Sequence, residues 1–170
     1  MTLLWNHMYL IGGLVMLVNL AIGRVRMRGL IAAGALSQVK ANRFCVNAAV
    51  ALAVTSGVFE ALTVLTGLPT HCQLLLPMAH RSLWPFYGLT VLAGGALLYW
   101  VWRRGGDQTL AAVAPAFVRG IAQDKKYTPQ QVRVGLTAIL VLAWGGFIAM
   151  RLTMPMPSPT EFPPCAEQVG

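Results

Sequence analysis

Residues 44–68 read FCVNAAVALAVTSGVFEALTVLTGL, a run of twenty-five residues with a single charged member, Glu60. About 20 mainly apolar residues in a helix cross ~30 Å of hydrocarbon, so the stretch is long enough for a membrane span. It lacks the period-two alternation of a membrane β-strand. A helix is the remaining way to satisfy every backbone group in lipid. Working outward, three more segments have the same character: residues 3–23, 83–102 and 132–153. The composition agrees, with 56% hydrophobic and 11% charged residues, against about one-quarter charged in soluble domains. The expectation is an all-α integral membrane protein, a single four-helix domain over residues 1–153 followed by a Pro-rich outer tail over 154–170.

The formal net charge of +8 would suit nucleic acid, but topology accounts for it. Arg24, Arg26, Arg28, Lys40 and Arg43 lie between the first two spans. Arg103, Arg104, Arg119, Lys125, Lys126 and Arg133 lie between the last two, leaving only Arg81 and Arg151 for the other side. Such asymmetry is the positive-inside pattern. It places both termini outside, with a bacterial inner membrane as the expected location, and argues against nucleic acid as a partner. Arg24, Arg26, Arg28, Arg103 and Arg104 are then expected to contact anionic lipids. A cleaved signal peptide carries its positive charge before the apolar run. Here the arginines follow it, so the first helix is expected to remain.

Between the spans, residues 29–36 are Ala- and Gly-rich and too short to cross; they are expected to lie along the inner surface. Leu110, Val113, Ala114, Phe117, Val118 and Ile121 form a helical apolar stripe, an amphipathic inner helix with Pro115 as its candidate break point. Thr128-Pro129 has the form of an N-cap and first helical position. On the second span Ala53, Ser56, Gly57 and Glu60 share one face, and small residues there suit close helix packing in a membrane.

Glu60 is the one acidic residue within a span. A charge at that depth costs a few kcal/mol or more unless it is paired, protonated or facing a cavity. His7 and Arg151 are the partners at similar depth, His7 the nearer in expectation. The trio has two readings: a lock on helix packing, or proton or cation handling. Cys72 and Cys165 fall on the outer, oxidising side. They admit one bridge, with two free thiols as the alternative. A haem needs axial ligands at one depth, whereas His7 is the only histidine in a span. His71, Cys72 and His80 are tolerable metal-ligand types at a spacing that fits no zinc pattern. No nucleophile–base set, Walker loop or dinucleotide fingerprint is present, so no cofactor and no metal are expected. The quinone-linked disulfide-forming enzymes share this size but need paired cysteines that this chain lacks.

Residues 41–47, Ala-Asn-Arg-Phe-Cys-Val-Asn, resemble the Asn- and Arg-bearing start of helix two in the microsomal glutathione transferases. The resemblance implies a membrane-embedded transferase using Arg43 and Asn47. The acidic residue of that family a few positions on is absent, and residues 105–127 are longer than its connection. Three functions follow in order of expectation. The first is a non-catalytic accessory or scaffolding subunit of a larger inner-membrane complex, with other membrane subunits or further copies of itself as partners. The second is a small proton- or cation-coupled transporter or channel using Glu60. The third is the transferase.

Overall fold

The computed structural model describes residues 7–76, 81–117, 127–153, 155 and 165. They include α1 (Met8–Ala32), α2 (Gln38–Thr66), α3 (Thr70–Leu75), α4 (Trp84–Arg103), α5 (Gly106–Phe117) and α6 (Pro129–Thr153); a 3-10 turn, Arg81–Leu83, leads into α4. No strand occurs among the described residues. Helices α1, α2, α4 with its leading turn, and α6 are each long and apolar enough to cross a membrane.

The first two helices approach each other more closely along the chain than the sequence reading has them. Helix α1 runs to Ala32 and α2 starts at Gln38. The expected surface segment 29–36 is therefore helix end and tight turn. The cause is local: nothing interrupts the helix until Gly34, which takes φ +71°. There Ala35 N–H donates to the Leu30 carbonyl at 2.9 Å and Gly34 N–H to that of Ile31 at 3.0 Å, the paired bonds of a Schellman cap. Ser37 then caps α2, its hydroxyl accepting from Lys40 N–H at 3.3 Å. At the far end of α2, Gly67 stops the helix with φ +64°.

Helix α5 also departs from expectation. Pro115 sits inside it without ending it, and α5 packs against α1, α2, α4 and α6. Val113 and Ala116 are buried in an apolar cluster with Leu20, Met27, Ala41 and Cys45. The Phe117 ring lies so close to Gly23 that a Cβ there would collide with it. Helix α6 opens with reciprocal bonds: Gln131 N–H donates to Thr128 Oγ1 at 3.2 Å and Thr128 N–H to Gln131 Oε1 at 2.9 Å. That is a capping box, with Thr128 as N-cap.

A second cluster, Leu68, Cys72, Leu76, Leu83, Phe86 and Cys165, gathers at the opposite end. The molecule thus has a basic end and a disulfide end. Between them α1 and α2 pack most extensively, while α4 and α6 meet more sparsely. Val118, Arg119, Ile121, Lys125, Lys126, His80 and most of the tail lie outside the described residues.

Candidate functional site at the disulfide end

Glu60 stands six residues before the end of α2, about 9 Å in at 1.5 Å per residue. It is 8% exposed. His7, the residue before α1, pairs through Nδ1 with Glu60 Oε1. The His7 side chain is 44% exposed against 11% for that of Glu60, so the pair spans two environments. One turn further along α2 lies Thr63, also buried.

Gln73 on α3 organises the rest. Tyr9 donates its hydroxyl to Gln73 Oε1 at 2.7 Å, and Gln73 Nε2 donates to Thr63 Oγ1 and to the Leu68 carbonyl, both at 3.0 Å. Thr63 in turn donates to the Phe59 carbonyl at 3.0 Å. Both N–H groups and the carbonyl of this buried amide are used, as a desolvated polar group requires. They stitch α3 to α1 and α2. Aromatic rings flank the network. Tyr9 lies 4.8 Å from Phe59 by ring centroids, and Phe59 lies 6.4 Å from Phe86.

Arg151 forms no ion pair with Glu60. It is only 2% exposed, donates Nη1 to the Leu76 carbonyl and sits 5.0 Å from the centre of the Phe147 ring. The guanidinium thus ties the residue that ends α3 to α6. Cys72, on α3, is bonded to Cys165 with a Cα–Cα distance of 5.2 Å across 93 residues of chain. A ring nitrogen of His71 lies within 4.8 Å of both sulfurs, but those sulfurs are taken up by the bridge. Glu60 Oε2, His71 Nδ1, Tyr87 Oη and Arg151 Nε are buried without a hydrogen-bond partner among the described residues.

The remaining candidates are dispersed. On the small-residue face of α2, Ser56 packs onto Gly13 of α1 so closely that a Cβ there would collide with its hydroxyl; a Cβ on Gly57 would meet nothing. Ala53 is exposed. Arg43 and Asn47 are exposed as well, and no other candidate residue gathers around them. At the basic end, Arg24 Nη2 donates to Asn42 Oδ1 at 2.9 Å and Arg26 Nη1 to the Ala116 carbonyl at 3.4 Å. Arg103 is exposed, and Arg104 lies 6.0 Å from the centre of the Tyr99 ring. Arg133 pairs with the wholly buried Asp107 at 2.8 Å, as charge against charge without hydrogen-bond alignment.

Gln73 and Asp107 are the residues that reading the sequence passes over. The signal for Gln73 is an amide at the head of the otherwise apolar QLLLP run that follows Cys72; that for Asp107 is a lone acid just after Arg103 and Arg104. The chain matches no protein-family model, no curated protein and no solved structure.

Proposed function

We propose that this chain is a non-catalytic accessory or scaffolding subunit of a larger inner-membrane assembly, with the disulfide end outside and the basic end inside. The bridge suits an oxidising compartment, and the arginines suit a cytoplasmic leaflet of anionic lipid. One observation carries the subunit reading. Gly12 on α1, Gly57 on α2, Gly95 on α4 and Gly145 and Gly146 on α6 are exposed, and a Cβ on any of them would meet nothing in the chain. Lipid tails make no demand for glycine, whereas helix–helix contacts in membranes are built on small residues that let backbones approach. Each span therefore offers a face fit for another helix, from a partner subunit or a further copy.

The test follows from the same open space. Gly57→Leu and Gly95→Leu should leave the thermal midpoint of the purified chain unchanged yet strip copurifying subunits in mild detergent. A wild-type chain that purifies alone as a monomer overturns the reading.

Glu60 favours a second reading, a small proton- or cation-coupled transporter, because its second oxygen is buried without a protein partner among the described residues. Against it, the hydrogen bonds of His7, Glu60, Thr63 and Gln73 stay at one end of the spans, and a path needs polar positions throughout. Proteoliposome flux abolished by Glu60→Gln would replace the subunit reading with this one.

A further inference from the structure

Two faces of α1 meet different surroundings at the basic end. Arg26 donates to the carbonyl of Ala116. Arg24 and Arg28 fall one turn apart on another face, and with Met27 they look across to Gln38, Ala41 and Asn42 at the start of α2. A cavity of about 120 Å³ lies between these two walls. Roughly 10–15 Å³ of such space suffices for one water, so this one admits a group of several heavy atoms. Arg24, Arg28 and Gln38 are exposed at its rim, while Met27 at 0% and Ala41 at 4% exposure make its floor.

We propose that this cleft binds one acidic phospholipid, whose phosphate is held by Arg24 and Arg28 while its glycerol and first methylenes lie over Met27 and Ala41. Three properties point to that ligand. The ion pairs among the described residues are His7–Glu60 and Arg133–Asp107, so no described carboxylate neutralises either arginine. Asn42 accepts from Arg24 and thereby aims the guanidinium while leaving it further donors, and guanidinium forks match phosphate oxygens. The first turn of α2 adds the positive end of a helix dipole to the same wall. Depth separates a lipid from a soluble anion. From Met8 to Gly23 the helix is about 24 Å long at 1.5 Å per residue, close to the ~30 Å hydrocarbon thickness. Arg24 and Arg28 therefore stand at headgroup level, and an apolar floor has no use for free phosphate.

The proposal rests on the reading that the basic end faces anionic headgroups, and its test keeps the two apart. Native mass spectrometry of the full chain in mild detergent, titrated with dioleoyl phosphatidylglycerol or dioleoyl phosphatidylcholine, should show one phosphatidylglycerol retained in preference. Arg24→Gln/Arg28→Gln should weaken that binding at least about tenfold, the value of one charge-assisted hydrogen bond. Arg103→Gln/Arg104→Gln, with the same charge loss but away from the cleft, should weaken it far less. Arg24→Lys/Arg28→Lys keeps both charges and guards against a fold defect in the glutamine pair; its affinity should fall between wild type and that pair. Equal losses in the two glutamine pairs would overturn the cleft while sparing the general attraction. Displacement of the lipid by equimolar inorganic phosphate would overturn the lipid assignment. Equal retention of the two lipids by wild type would sink the headgroup reading along with the cleft.

Discussion

At the disulfide end, polar side chains are inside and bonded to one another; at the basic end, charges are mostly outside and the interior is aliphatic. Glu60, Thr63, Gln73 and Arg151 are buried at the first, around a covalent bridge. Leu20, Met27, Cys45, Val113 and Ala116 fill the second, with Asp107 as its buried charge. The difference follows from how the chain turns. At the basic end α1 and α2 are joined by a five-residue capped turn, residues 33–37, and α4 and α5 by Arg104 and the positive-φ Gly105. Consecutive helices are joined there by short capped turns, and the packing of α5 against α1 is mainly aliphatic, with Leu20 and Met27 in one cluster with Val113 and Ala116. At the disulfide end α1, α3 and α6 come from distant parts of the chain. Side chains hold them, through the bridge, the Gln73 hydrogen bonds and the bond from Arg151 to the Leu76 carbonyl, because in a dry setting a buried polar group gains most from a partner.

Losing the bridge should be the largest single effect. Closing a loop of 93 residues contributes about 4–5 kcal/mol by chain-entropy reasoning, as an upper figure. Cys72→Ser should lower the thermal midpoint by more than any variant below, and reductant should reproduce the shift in wild type but not in the variant. Intact mass should rise by about two daltons on reduction, one hydrogen per sulfur.

Gln73→Leu should come next. It removes three hydrogen bonds and strands the Leu68 carbonyl, at about 1–3 kcal/mol for one buried group left unmet, while the half-buried Tyr9 hydroxyl loses its partner. Thermal unfolding in detergent measures the cost. A neutral result would mean that the bridge, Arg151 and the apolar cluster hold α3 without Gln73, and the polar network would drop out of the contrast between the ends.

Asp107→Asn probes the other end and should cost less, about 1 kcal/mol. Its partner Arg133 is 38% exposed, so water takes up the released cation and the value of the pair is discounted. A cost above that of Gln73→Leu would reverse the ranking of the two ends.

The smallest contrast lies within a single step of α4, midway between the ends. A Cβ on Gly94 would collide with the Trp144 ring, whereas one on Gly95 would meet nothing. Gly94→Ala should therefore destabilise by about 1 kcal/mol or more, because the ring must shift. Gly95→Ala should be neutral or slightly stabilising, since alanine favours helix over glycine. Equal responses to thermal unfolding would mean that α4 and α6 are as loosely joined here as their sparse packing allows.

The four spans are legible in the sequence because a hydrocarbon slab imposes one length and one polarity on every crossing. Their limits at the basic end are not. Arg24, Arg26 and Arg28 mark where apolar sequence ends, not where the helix ends; hydrogen bonding continues until Gly34 permits the cap. Pro115 misleads for a related reason. A proline breaks a helix through a lost donor and a clash with the preceding turn, yet here α5 is held on several sides by neighbouring helices and runs two residues further. Glu60 stands out as the one acid in a span, and depth along the helices singles out His7 as its partner. Gln73 does not stand out. An amide carries no charge to betray its burial, and its partners Tyr9 and Thr63 lie 64 and 10 residues away.

On the proposed topology, the bridge also sets an order of events during biosynthesis. Cys165 is made 93 residues after Cys72, and α4, α5 and α6 all lie between them. Until α6 is threaded and its following segment delivered, Cys72 lacks its mate. A chain whose last span fails to insert keeps Cys72 and Cys165 on opposite sides of the bilayer, and it leaves a thiol where its completed siblings have none. On that topology, oxidation at this site reports that the last span has crossed the membrane.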